Sequence, residues 1–299
     1  MTAAIFPPRF DSMKPKIIVT GANGQVGQCL QMATRDRSEY EWIFCSSTDL
    51  DITLEQSITD AFSGNAPAVV INLAAYTAVD KAEDEAEKAF LINSHGVKLL
   101  AKACKKADAT LIQVSTDYVF DGKKTTPYLE TDPTDPLTIY GQSKLGGELE
   151  ILQYCPNSVI IRTSWVYSEF GNNFVKTMLK LGSERESLAV VTDQIGNPTS
   201  AHDLAQILVT FAKKAVEKTV DFGMYHYSNT GGISWFDFAA EIMAQASLPC
   251  LILPTTSDVY VQKAPRPRYS VLDTTKVEAI GVEIKEWKTA LAQTIKTLS

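Results

Sequence analysis

A short apolar run, Lys16-Ile17-Ile18-Val19-Thr20, opens directly into Gly21-Ala22-Asn23-Gly24-Gln25-Val26-Gly27, and helical spacing then runs from Gln25 to about Thr34. Nothing else in the chain restricts the fold as much. A strand that is apolar along its whole length must be covered on both faces. A chain that leaves such a strand in a helix returns to lay its next strand in parallel. The rhythm continues downstream. Apolar runs at 42–45 and 68–73 and strands at 110–114 and 159–161 are separated by helical spacing at 54–62, 82–93, 96–107 and 141–152. This alternation predicts an α/β fold, a Rossmann-type doubly wound parallel sheet, over residues 14–165. Past Trp165 the rhythm weakens. Helices are expected at 174–180, 202–214 and 235–246, with turn-rich segments such as Gln194-Ile195-Gly196-Asn197-Pro198-Thr199 between them and an extended loop at Pro265-Arg266-Pro267-Arg268. We read 166–299 mainly as a smaller C-terminal substrate-binding lobe, with about 200–226 returning to the first domain. Residues 1–13, with Pro7-Pro8 and little periodicity, read as a disordered leader, and Met13 as an alternative start.

Gly21, Gly24 and Gly27 stand between a buried strand and a helix, the setting a dinucleotide fingerprint requires. The turn must be tight, its backbone must approach a pyrophosphate closely, and N–H groups at the helix start must face that anion. The spacing here, G-x-x-G-x-x-G, is looser than G-x-G-x-x-G. A chain that binds NAD places an acid at the end of its second strand to accept the ribose hydroxyls. Here that strand ends Cys45-Ser46-Ser47, and the first acids are Asp49 and Asp51, either ribose ligands or loop caps. Small hydroxyls at this point leave room for a 2′-phosphate that Arg35 or Arg37 would approach, so NADPH and NADH both fit.

A net charge of -7 over 299 residues argues against nucleic acid as a partner, because phosphate binding needs a basic face. No apolar stretch nears the roughly 20 residues that span a bilayer. Cys29, Cys45, Cys104, Cys155 and Cys250 form no Cys-x-x-Cys pair, which fits free thiols in a reducing cytoplasm. His95, His202 and His226 are scattered without zinc spacing and read as structural, so no metal is expected.

Tyr140 and Lys144 lie four residues apart in Thr138-Ile139-Tyr140-Gly141-Gln142-Ser143-Lys144, which puts both on one face of a helix. An ammonium beside a phenol stabilises phenolate and is expected to draw its pKa down from about 10. Such a phenol is a general acid for an oxygen that gains negative charge, as a carbonyl does on accepting hydride.

With these features stand Asn72-Leu73-Ala74-Ala75-Tyr76-Thr77-Ala78-Val79-Asp80, Ser115-Thr116-Asp117-Tyr118-Val119-Phe120-Asp121-Gly122, Arg162-Thr163-Ser164-Trp165-Val166-Tyr167 and Gly171-Asn172-Asn173-Phe174. Together they resemble the extended short-chain dehydrogenase/reductase family, and within it the dTDP-4-dehydrorhamnose reductases, over nearly the whole chain from Lys14. The resemblance implies hydride transfer from NAD(P)H to dTDP-4-dehydro-β-L-rhamnose, the last step of dTDP-L-rhamnose synthesis, with Tyr140 as proton donor and Thr116 and Lys144 in support. It implies a cofactor lining of Gly21, Asn23, Gly24, Gln25, Val26, Gly27, Ser46, Asp51, Ile52, Ala74, Ala75, Tyr76, Thr77 and Val114, besides Tyr140 and Lys144. Ala75, Tyr76 and Thr77 would serve through backbone and hydroxyl contacts. Trp165 would pack on the sugar ring, unless it is core, and Asp117 would lie beside the substrate, unless it is a cap. A diphosphate needs cationic or N–H donors, for which Arg266, Arg268 and Asn173 are candidates; Asn173 would equally cap a helix.

One departure concerns quaternary structure. Some members bind magnesium at a dimer interface through a glutamate two residues after the last fingerprint glycine. Here that residue is Cys29, a poor ligand for a hard ion, so no such metal-mediated dimer is expected, and the chain is a monomer or a homodimer. Related 4,6-dehydratases carry Asp then Glu after the threonine, whereas Asp117 is followed by Tyr118, which counts against dehydration. Two alternatives stay open: another sugar-nucleotide reductase or epimerase, and a non-catalytic NADP-binding regulatory subunit similar to that of methionine adenosyltransferase.

Overall fold

The structure, a computed structural model, describes residues 14–260 and 262–298; the leader expected at 1–13 lies outside the described residues. Strands β1 (Lys16–Thr20), β2 (Glu41–Cys45), β3 (Val69–Asn72), β4 (Thr110–Thr116), β5 (Ser158–Thr163) and β6 (Gly223–His226) form one sheet in the order β6-β5-β4-β3-β1-β2. Every pairing in it is parallel. Helices α1 (Gln25–Thr34), α2 (Glu55–Asn65), α3 (Val97–Ala107) and α4 (Ile139–Tyr154) follow the strands as the sequence predicts. Farther along come α5 (Phe174–Glu184), α6 (Ala201–Val216), α7 (Trp235–Gln245) and α8 (Trp287–Leu298). This is a Rossmann-type doubly wound sheet.

The strands are apolar throughout because both faces are covered. Side chains alternate across a strand. Ile17, Val19, Val69, Ile71, Val159 and Ile161 join a core with α1 and α6, while Ile18, Val70 and Ile160 join one with α2, α3 and α4. Segment 201–226 therefore belongs with the sheet: α6 packs on α1, and β6 extends the sheet beside β5. A third core, built from Tyr167, Val175, Met178, Phe238, Ile242, Trp287 and Leu291, sits in the C-terminal lobe. A parallel strand pair, Ser187–Val191 with Leu251–Thr255, lies beside it. The sequence predicts no helix beyond 246, yet α8 supplies Trp287 and Leu291 to that core.

The order of winding reverses at β1, between β2 and β3, and the crevice of such a sheet opens at the carboxyl ends there. Buried polar side chains tie that edge together. Thr20 Oγ1 donates to Asn72 Oδ1 (2.5 Å), Asn72 Nδ2 to Gln113 Oε1 (2.7 Å), and Gln113 Nε2 to the Val114 carbonyl (2.7 Å).

Residues 82–96 depart from the helix expected at 82–93, while that expected at 96–107 is α3. Short helices Val79–Ala82 and Ala86–Phe90 lead into a π-helical turn, Leu91–Gly96, that runs on into α3. The wider turn presents Asn93 inward: its Oδ1 accepts from Tyr76 N (2.8 Å), and its Nδ2 donates to Tyr76 O (2.9 Å) and Ser143 Oγ (3.0 Å). Among the described residues no helix is long and apolar enough to cross a membrane. All five cysteines are unpaired and buried.

Candidate active site

The glycine turn is a cradle that a side chain would fill. Gly21 has φ +65°, and a Cβ on it would lie 2.7 Å from the Ala74 nitrogen where β3 ends. A Cβ on Gly27 would lie 2.5 Å from the Ala22 carbonyl oxygen. Helix α1 begins at Gly24 with no side-chain cap and no acid in its first turn, so its leading N–H groups are left for an anion. These residues fit the pyrophosphate of a dinucleotide. Gln25 faces elsewhere: its Nε2 donates to the Val166 carbonyl (3.0 Å) and its Oε1 accepts from Asn173 Nδ2 (2.8 Å), joining the turn to the C-terminal lobe.

At the end of β2 both acids act as loop caps. Asp49 Oδ2 accepts from Ser46 N (2.8 Å) and Ser46 Oγ (2.6 Å), and these bonds hold its carboxyl below the usual range. Asp51 Oδ1 accepts from Thr53 N (2.9 Å) and Thr53 Oγ1 (2.7 Å). Ile52 is buried and fills the space beside Gly96. Arg35 and Arg37 do not approach Ser46. They follow α1 at its far end, about 15 Å along the axis from the glycine turn, where Arg37 Nη2 donates to Gln206 Oε1 (3.4 Å).

Tyr76 is tied into the wall of the cleft. Both its backbone groups bond Asn93, and its hydroxyl donates to Glu85 Oε2 (3.2 Å), so its N–H and O–H are already engaged while its oxygens can still accept. Ala75 remains half-buried and Thr77 exposed beside it.

Helix α4 carries the central pair. Thr138 caps it, its Oγ1 accepting from Gly141 N (2.9 Å), and Tyr140 and Lys144 both point into the buried edge of β4. The expectation of an acidified phenol is overturned. Burial pushes the Tyr140 hydroxyl up to about 12, against a hydrogen bond to Thr116 that lowers it. Burial likewise pulls Lys144 down to about 8, opposed by the charge of Glu148. Lys144 Nζ donates to the Val114 carbonyl (2.8 Å), which explains the difference: the ammonium is spent on the strand and is itself desolvated.

Thr116 ends β4 and donates through Oγ1 to Asp117 Oδ1 (3.1 Å). Asp117 is buried, its Oδ2 accepts no hydrogen bond among the described residues, and desolvation raises its carboxyl to about 6 despite hydrogen bonds that lower it. Tyr118 stands edge-on to Tyr140, with ring centroids 5.5 Å apart.

The expected substrate contacts fare unevenly. Trp165, at a left-handed φ of 45°, stacks on Trp235 with centroids 3.5 Å apart, sits against Gly196 and remains partly exposed. Asn173 is a helix cap: Oδ1 accepts from Lys176 N (3.1 Å), and Nδ2 donates to Gln25 and to the Ser168 carbonyl (2.7 Å). Arg266 holds Asp80 in a two-point pair, Nη2 to Oδ2 at 2.7 Å and Nη1 to Oδ1 at 3.1 Å. It nevertheless lines a cleft with Lys123, Lys124 and Arg268, a basic wall against Tyr269 and Leu137.

Residues 14–299 match the family described as RmlD substrate binding domain. The chain belongs to this family. It is 42% identical over 285 residues to a dTDP-4-dehydrorhamnose reductase of Aggregatibacter actinomycetemcomitans, covering 92% of this chain and 97% of that protein. A crystal structure of a dTDP-4-dehydrorhamnose reductase from Clostridium acetobutylicum superposes with a TM-score of 0.90 at 40% identity, covering 95% of this chain and 99% of the other. That of dTDP-4-dehydrorhamnose reductase from Bacillus anthracis, in complex with NADP, superposes with a TM-score of 0.90 at 37% identity, covering 95% and 100%.

Within this RmlD-family chain the sequence offered no pointer to Asn93, whose role depends on a π-helical turn. Nor did it join Cys29, Glu169 and His202, whose donor atoms lie within 4.8 Å of one another behind α1. His202 Nε2 is already hydrogen-bonded to both Glu169 oxygens (3.0 and 2.9 Å), and burial pushes the Cys29 thiol up to about 12. This group is a packed polar contact between α1, the 168–173 loop and α6.

Proposed function

We propose that the chain reduces dTDP-4-dehydro-β-L-rhamnose to dTDP-L-rhamnose, using NADPH or NADH. The observation that carries this reading is the convergence of Thr116, Tyr140 and Lys144 at the carboxyl end of β4, on the same sheet edge as the glycine turn. When bound, the reduced nicotinamide supplies hydride to the C4 carbonyl carbon. The protein's own residues supply the proton and the orientation. Tyr140, held protonated by burial, gives its proton to the C4 oxygen as negative charge develops there. Thr116 hydrogen-bonds that oxygen and keeps it in line. Lys144, with a pKa of about 8, keeps its proton at neutral pH and stabilises the phenolate left behind.

Asp117 Oδ2 would accept a sugar hydroxyl, and the basic wall of Lys123, Lys124, Arg266 and Arg268 would hold the diphosphate. Dehydration would need a carboxylate base after Asp117. Tyr118 stands there, and burial pushes its hydroxyl well above the ordinary range, so it cannot take up a proton from carbon. The test is direct. Purified protein is given dTDP-4-dehydrorhamnose with NADPH or NADH, and loss of reduced-nicotinamide absorbance is followed. One equivalent consumed per keto sugar supports the reading, and no oxidation with either cofactor removes it.

A further inference from the structure

Tyr140, Lys144 and Glu148 recur every four residues on α4, and all three are buried. Glu148 meets neither of the other two side chains directly. Its Oε1 accepts from Ser115 Oγ (2.5 Å) and Arg162 Nε (3.0 Å), and its Oε2 accepts from Arg162 Nη2 (2.7 Å). Ser115 and Arg162 are directly opposite each other in the β4–β5 ladder, so one carboxylate joins two strands to the helix. Ser115 is also the residue between two functional neighbours. Val114 before it offers the carbonyl that receives Lys144, and Thr116 after it bonds Tyr140.

We infer that Glu148, held by Arg162, is a positioning residue for the reduction: it fixes Val114–Thr116 against α4 and supplies the negative charge that Lys144 faces. This rests on the reductase reading above. A buried ion pair alone adds little net stability, because desolvating both ions costs about what their attraction returns. The pair has a second effect that packing does not require. Lys144 is buried and depressed, and Glu148 is the charge that opposes the depression. The other titratable groups on the elements that pack here are Tyr140 on the same helix, Asp117 and Tyr118 after β4, and Arg162 on β5, which bonds Glu148 and not Lys144. Behind Arg162 lies His226 on β6, which burial and Arg162 hold neutral with a pKa of about 3. Removing the charge of Glu148 takes away the charge that holds the Lys144 ammonium up, and removing Arg162 strips the buried Glu148 carboxylate of its counter-ion, which favours its neutral form. Both changes weaken the negative charge that Lys144 faces and push its titration down.

The experiment measures kcat/KM against pH for the parent, Glu148→Gln and Arg162→Met, and reads the Lys144 Nζ titration by NMR in lysine-labelled protein. In Glu148→Gln the alkaline limb and the Lys144 titration both move down by about one pH unit. The kcat falls on the order of tenfold to a hundredfold, with KM nearly unchanged. In Arg162→Met both also move down, and Glu148→Asp recovers part of the lost kcat. Parent-like limbs in Glu148→Gln, or limbs that move up in either variant, overturn the inference. Should either variant fail to fold, Ser115→Ala decides, since it leaves the ion pair intact: a threefold or greater loss of kcat at constant KM supports positioning, and a parent kcat overturns it. A parent that oxidises no cofactor fails the reductase reading instead, and the NMR titrations still judge the electrostatic half of the inference.

Discussion

Gly27→Ala isolates what the cofactor cradle demands. Gly27 is in the first turn of α1, where alanine would ordinarily be favoured over glycine by about 1 kcal/mol. Here the added methyl would sit 2.5 Å from the Ala22 carbonyl oxygen and 2.6 Å from that of Gly21. Those approaches are roughly 1 Å inside the optimal separation of non-bonded atoms. Both neighbours are backbone, so no side chain can swing aside; the helix must lift from the turn. Overpacking of this kind costs about 1–3 kcal/mol. After the propensity gain, a net loss of up to about 2 kcal/mol remains, or a Tm lower by roughly 2–8 °C. The displaced turn also loses its fit to pyrophosphate, and the Kd for NADPH should rise at least about tenfold, which is 1.4 kcal/mol. Gly64→Ala is the control. It makes the same change in α2, where a Cβ meets nothing within 4 Å, and it should stabilise the fold by about 0.4–1 kcal/mol. Calorimetry and fluorescence titration read both. A Gly27→Ala protein with parental Tm and parental NADPH affinity would refute the close-approach reasoning, as would equal effects at the two glycines.

Tyr140→Phe removes the proton donor and leaves the ring's packing against Tyr118 in place. Its kcat should drop by about 10²–10⁴-fold with cofactor affinity little changed, and full turnover would take Tyr140 out of its role. Asn173→Ala removes the cap of α5 together with the bonds to Gln25 and Ser168, and should cost about 1–2 kcal/mol in chemical denaturation. Because Gln25 follows the glycine turn, NADPH affinity should weaken in the same variant; a loss of stability with parental affinity would limit Asn173 to capping.

Local signals proved most legible where one element decided them. The bounds of β1 and α1 follow from the apolar run and the glycine turn alone, since both depend on neighbouring residues and periodicity. Tyr140 and Lys144 could be paired because an i, i+4 spacing is readable locally, and the family resemblance added Thr116 to them. Partnership was not legible. Nothing near Tyr76 in the chain said that Asn93, seventeen positions on, would bond both its backbone groups. Arg266 looked free until the chain brought Asp80 against it from the far side of the sequence. Trp165 gave no local hint that Trp235 would cover its ring.

The sequence by itself determined the winding of this chain. Strands buried on both faces and a glycine turn with no room for side chains leave a parallel sheet and an anion site at a helix start. It also determined which functional groups were present: a phenol, an ammonium and a hydroxyl at the ends of known elements. Tertiary structure decided their chemical state. Burial raised Tyr140 and lowered Lys144, the reverse of the shift expected of an exposed pair for the phenol, because desolvation outweighs a neighbouring charge that is committed elsewhere. It also decided that a carboxylate one turn past Lys144 would lie beneath β4 and β5. Spacing names a face of a helix, but only packing states what that face meets.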